Sequence, residues 1–149
     1  MGTTTARRRN VIRAVLRNAQ HTGDAVAPWQ QVTEVQEHFE DSDDLLVELH
    51  LEWVRALVAR LHRGVVVAER TPGNVRDLYD EVCAKHRTLR RILDAHAANP
   101  ALWEHTAREH AMLARIAGLA PEGGLGELAA TCGRALVSQR IPTQRSSPA

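Results

Sequence analysis

Apolar residues recur at helical spacing along nearly the whole chain, and only proline- and glycine-bearing turns interrupt them. This pattern leaves little room for a sheet. Residues 4–21 place Ile12, Val15, Leu16 and Ala19 on one face before Gly23 stops the run. Pro28 opens a second predicted helix, 28–39, with Trp29, Val32, Val35 and Phe39. The acidic run at 40–44 reads as the start of a third, 43–63, in which Asp41 or Ser42 caps free amides. Thr71-Pro72 and Asn99-Pro100 are cap-plus-proline starts for helices 72–97 and 100–117, and a last helix covers 125–139. The stretch Val65-Val66-Val67 has β character but no partner strand, so it is assigned to a helical extension or buried loop.

Short turns between these helices make neighbours antiparallel. The expected fold is therefore all-α, a single helical bundle of five to six helices in which the central four run up and down. Residues 1–41 form an N-terminal helical segment and 42–139 the bundle body, while 140–149 is a polar tail expected to be disordered. With 149 residues the chain has enough material for a sizeable core. Its net charge of +1 imposes no nucleic-acid or membrane partner. No run approaches eighteen apolar residues, and the first ten are polar and basic, so neither a membrane span nor a signal peptide is predicted. Cys83 and Cys132 are too few for a disulfide framework, which points to a cytoplasmic protein with reduced thiols.

Four helices each carry one polar, metal-capable side chain within an apolar stripe: His50, His86, His110 and Cys132. Counting outward from the turns near 67–71, 98–99 and 118–123 sets these four within about one helical turn in height. A polar layer inside a small core has three readings. It lines a ligand pocket, with Trp53 and Trp103 beside His50, His86 and His110. It is a set of hydrogen-bonded core histidines. Or it binds a metal, since imidazole and thiolate suit zinc. Tight ligand pairs are missing, which weighs against metal: His86 and His96 lie ten residues apart, and His105 and His110 project in different directions. No metal and no cofactor is therefore assigned. His105 and Glu109, four apart, read as a surface pair.

Catalytic motifs are lacking. The serines stand at a cap or near the tail, and Gly123-Gly124-Leu125-Gly126 has neither a preceding strand nor a lysine. Cys83 with His86 has the spacing of a thiolate pair, but on a helix interior it is more often a small core residue beside a histidine. The chain is not expected to be an enzyme.

Two local patterns resemble the TetR family of regulators, all-helical homodimers with a DNA-reading head and a ligand-binding body. VIRAVLRNAQHTG at 11–23 has the spacing of that family's first helix, an aliphatic pair followed by glycine. His38-Phe39, then Asp41, Asp43, Leu45 and Leu46, is similar to its junction of recognition helix and fourth helix, which LLVELHLEWVRALVARL continues. The segment from His86 to Leu119 reads like such a body. The chain departs from the pattern between Gly23 and Phe39, sixteen residues that fall about eight short of two helices and a turn. Asn18 stands at an apolar position of the pattern, and Ser42 where a lysine is usual. The resemblance implies a small transcriptional regulator: a homodimer through Leu102, Trp103 and the final helix, a small-molecule ligand in the bundle core, and duplex DNA contacted by Arg7, Arg8, Arg9 and Arg13. The shortened head leaves a second reading open, a non-DNA-binding interaction or accessory protein built on the same bundle. A His/Cys metal-binding helical protein is the third.

Overall fold

The computed structural model describes residues 2–64, 71–119 and 126–138. All secondary structure there is helical: α1 (Gly2–Thr22), α2 (Glu34–His38), α3 (Ser42–Gly64), α4 (Pro72–Lys85), α5 (Arg87–Ala95), α6 (Pro100–Ile116) and α7 (Gly126–Ser138). The Val65–Val67 stretch, the turn with Pro121, Gly123 and Gly124, and the tail 140–149 lie outside the described residues.

The ends of the helices follow from their sequences. Gly23, at φ +75°, terminates α1 by donating its amide to Ala19 O at 2.9 Å. Gly118, at φ +72°, ends α6 in a Schellman arrangement: Leu119 N donates to Ala114 O at 2.8 Å and Gly118 N to Arg115 O at 3.1 Å. The Asp41 carboxylate caps α3 by accepting from Asp44 N at 2.8 Å. Thr71 Oγ1 accepts from Asn74 N at 3.2 Å, and Asn99 Oδ1 from Ala101 N at 3.0 Å.

Two stretches differ from expectation. The helix expected over 28–39 is reduced to Glu34–His38. Side chains divert the backbone before it: Asp24 Oδ1 accepts from Val26 N at 2.8 Å and Ala27 N at 3.2 Å, and the Asn18 amide donates to Pro28 O at 2.6 Å. The segment then runs through tight turns, with Val32 N donating to Trp29 O at 3.0 Å. Between α1 and α3 there is thus one helix of five residues, where a helix-turn-helix uses two. The helix expected over 72–97 is broken at His86 (φ −112°, ψ 43°), which accounts for a seventh helix. The stripe Val75, Leu78, Val82 resumes at Leu89, Ile92 and Leu93, and polar Lys85 and His86 occupy the position between. The bend lets those two turn toward solvent while both apolar stretches stay in the core.

Helix α3 is the central post and packs against α1, α4, α5 and α6. Leu45, Leu46, Leu49, Trp53 and Leu57 from α3 are buried, and Val11, Ile12, Val15 and Ala19 of α1 join the same core. The N-terminal segment is therefore part of the bundle. Leu102, expected on a dimer face, is buried in that core as well, because it lies in phase with Leu113 on α6. A second, smaller core of Ala111, Ala114, Ala129 and Ala130 zips α6 to α7. No helix among the described residues is long and apolar enough to cross a membrane.

Candidate functional site

Helix α6 has two buried sides. Ala107, Ala111 and Ala114 face α7, and Gly133 approaches so closely that a Cβ there would stand 1.7 Å from the His110 carbonyl oxygen. That contact fixes the backbone of α6 at the residues whose side chains reach the other side. There, Glu109 and His110 line a cavity of about 670 Å³ together with His50 of α3, Tyr79 and Cys83 of α4, and Arg90 of α5.

Glu109 and His50 are the two buried polar residues of the described structure, 4% and 3% exposed. His50 Nε2 lies 3.6 Å from Glu109 Oε1, beyond hydrogen-bond reach. Both atoms lack a hydrogen-bond partner among the described residues, as do Trp53 Nε1 and His110 Nδ1. Three of these atoms, His50 Nε2, Glu109 Oε1 and His110 Nδ1, belong to residues that line the one cavity, more than close-packed interiors leave without cause.

Burial sets the charge state of the site. It pushes the Glu109 carboxyl up to about 7; Arg90 and the nearby Trp53 indole N–H pull the other way, and Asp94 adds a small further rise. Burial likewise lowers His50 to about 4, helped by His105 and Arg90 and partly offset by the His105 backbone. His110 falls to about 4 through burial, then Arg134 and Arg90. At neutral pH both imidazoles are uncharged, so the His50–Glu109 approach is not an ion pair. Tyr79 stays protonated because burial raises its pKa.

The permanent charges at the cavity come already paired. Burial alone would lower the pKa of Arg90, but Tyr79, Asp94 and Glu109 carry it above its ordinary value. Its Nε donates to Asp94 Oδ1 at 2.9 Å, and its guanidinium lies 4.8 Å from the Trp53 ring centroid. Arg76 donates to Leu136 O at 2.6 Å, tying α4 to α7, and meets Asp80 at 3.3 Å. Trp53 meets Tyr79 edge-on, with centroids 5.7 Å apart. The outcome is a cavity rich in donors and acceptors with little net charge.

Of the expected layer, the structure brings His50 and His110 to one cavity, with Trp53 in the core behind it. His86 lies outside, because the bend between α4 and α5 turns it into a different cleft; burial and then Lys85 lower its pKa. Cys132 packs beside the alanine core, one residue before the Gly133 contact, and also misses the cavity. Trp103 is 60% exposed on the third side of α6. Burial raises the pKa of Cys83, which keeps it a thiol and disfavours a thiolate pair. Among the described residues, no three His, Cys, Asp or Glu side chains converge as a metal ion would need.

The N-terminal arginines take divergent positions. Arg8 reaches Asp44 at 2.9 Å and Glu48 at 3.8 Å and covers the Phe39 ring at 4.5 Å, and Arg9 reaches Glu52 at 3.8 Å. Arg7 is exposed, and Arg13 lines the same cleft as His86.

The residue missed from sequence is Glu109, expected at the surface with His105. Its signal was phase: Leu102, Glu109 and Leu113 share one stripe, seven and four residues apart. His105 itself stacks toward His50, ring centroids 6.0 Å apart. Comparison with protein families, with curated proteins and with solved structures gives no match.

Proposed function

We propose that the protein is a ligand-sensing helical bundle whose ligand is a small, uncharged, polar molecule held between α3 and α6. One observation carries this reading: His50 Nε2 and Glu109 Oε1, each on a nearly fully buried side chain, face each other at 3.6 Å with no other partner. A group offering one donor and one acceptor, such as an amide, satisfies both at once, and His110 Nδ1 adds one more point of contact. A charged ligand fits less well, because the nearby guanidiniums already have their carboxylates. Support for binding rather than catalysis comes from Cys83, which burial holds as a thiol.

Screening polar fragments by amide-resolved NMR tests this. Binding fragments perturb Glu109, His110, Tyr79 and Arg90 together, and Glu109→Leu removes those responses. Hits that scatter, or that persist unchanged in Glu109→Leu, overturn the reading.

A further inference from the structure

A second cleft, about 910 Å³, lies away from this cavity, between α1 and the bend joining α4 to α5. Arg13 and Arg17 line one wall; Lys85, His86, Arg87 and Arg91 line the other, and no carboxylate contributes to either. The spacing builds it: Arg13 and Arg17, like Arg87 and Arg91, are four residues apart, so each pair projects from one helix face. The bend at His86 aims the second pair toward the first.

Several arginines elsewhere meet acids, as Arg8 meets Asp44, Arg60 meets Glu81 and Arg90 meets Asp94. Arg13, Arg17, Lys85 and Arg87 form no ion pair among the described residues; Arg91 makes only a 3.4 Å contact to Gly23 O at the end of α1. Like charges at this helical spacing repel and destabilise the free protein. With a net charge of +1, composition does not force them together. Concave clefts lined with one sign of charge concentrate counter-ions.

We propose that this cleft is a binding site for a compact oligophosphate group, such as the triphosphate of a nucleotide. Guanidinium forks match phosphate oxygens two at a time, and five cations around one concavity call for a ligand with several negative charges in a small volume. A duplex backbone fits less well. It is read by cations spread along an open face, and Arg8 and Arg9, which would extend the face along α1, are held by Asp44, Glu48 and Glu52. The site is independent of the His50–Glu109 cavity.

The test is calorimetric titration with sodium tripolyphosphate in low salt, with thermal melting alongside. The wild type binds, and its affinity falls as salt rises. Arg17→Gln/Arg87→Gln weakens binding at least tenfold, and its ligand-free melting temperature is unchanged or higher, since repulsion is relieved. Arg108→Gln, on the far side, binds as the wild type. No heat and no melting shift with tripolyphosphate in the wild type overturns the proposal. Equal binding by the double variant does the same. So does a short DNA duplex that binds at least tenfold tighter than tripolyphosphate and is not displaced by it.

Discussion

The two buried sides of α6 solve opposite problems. Toward α7, alanines and Gly133 bring backbone against backbone, beside a groove of about 630 Å³ along Ala107, Ala111 and Ala130. Toward α3, two turns of the same helix present Thr106, Glu109 and His110 to a cavity of about 670 Å³ whose polar atoms are left unmatched. The first side gains from contact alone. The second sacrifices contact and leaves polar groups desolvated, at a cost of about 1–3 kcal/mol for each unsatisfied group. What separates the two sides is therefore the buried polar atoms without partners on the α3 side, His50 Nε2, Glu109 Oε1 and His110 Nδ1.

The largest effect should come from closing the tight side against itself. Gly133→Ala sets a methyl 1.7 Å from the His110 carbonyl, so α6 and α7 must separate. Urea unfolding should show a loss of about 3 kcal/mol or more. The His110 and Glu109 signals should shift with it, because the same contact positions the cavity wall.

On the polar side the next largest effect is the Glu109 proton. Its folded pKa, about 7, stands above the unfolded value near 4.5, so the folded state holds the proton more tightly. Stability from this group is present below pH 4.5 and is lost as pH rises to 7. Relative to Glu109→Gln, the wild type should lose about 3 kcal/mol across that window in paired denaturation curves. His50 acts with the opposite sign. Its folded pKa near 4 lies below the unfolded 6.5, so its contribution is present above pH 6.5 and lost as pH falls through 4. His110 acts with the same sign as His50, so His50→Gln should reduce the acid loss without abolishing it, and in the shared window between pH 4.5 and 6.5 the opposing loss from Glu109 should then stand out more strongly. A variant that alters neither limb would break the contrast between the two sides. The exposed third side supplies the baseline: Trp103→Ser should change stability by less than about 0.5 kcal/mol.

Much of this architecture was legible in the sequence, and for local reasons. Thr71-Pro72, Asn99-Pro100, Asp41, Gly23 and Gly118 mark helix ends through interactions spanning a few residues. The all-α class followed from periodicity. The short α2 was not legible, because the Asn18 side chain reaches Pro28 O across the chain and takes an acceptor that a helix would have used. At the site, His50 and His110 were found by counting heights from the turns. His86 was misplaced because that count assumed a straight helix through a bend. Glu109 was misread because a charged residue four from a histidine looks like a surface pair, although its phase with Leu102 and Leu113 placed it inside. Phase decides burial; residue type decides only what burial costs.

The central claim is that α6 holds an unmatched, desolvated carboxyl against His50. Following the Glu109 side-chain carboxyl carbon by NMR as pH is varied tests it most directly. The account predicts a midpoint near 7 in the free protein. A midpoint near the ordinary glutamate value of about 4.3 would contradict it, since a carboxyl that ionises there is solvated or paired.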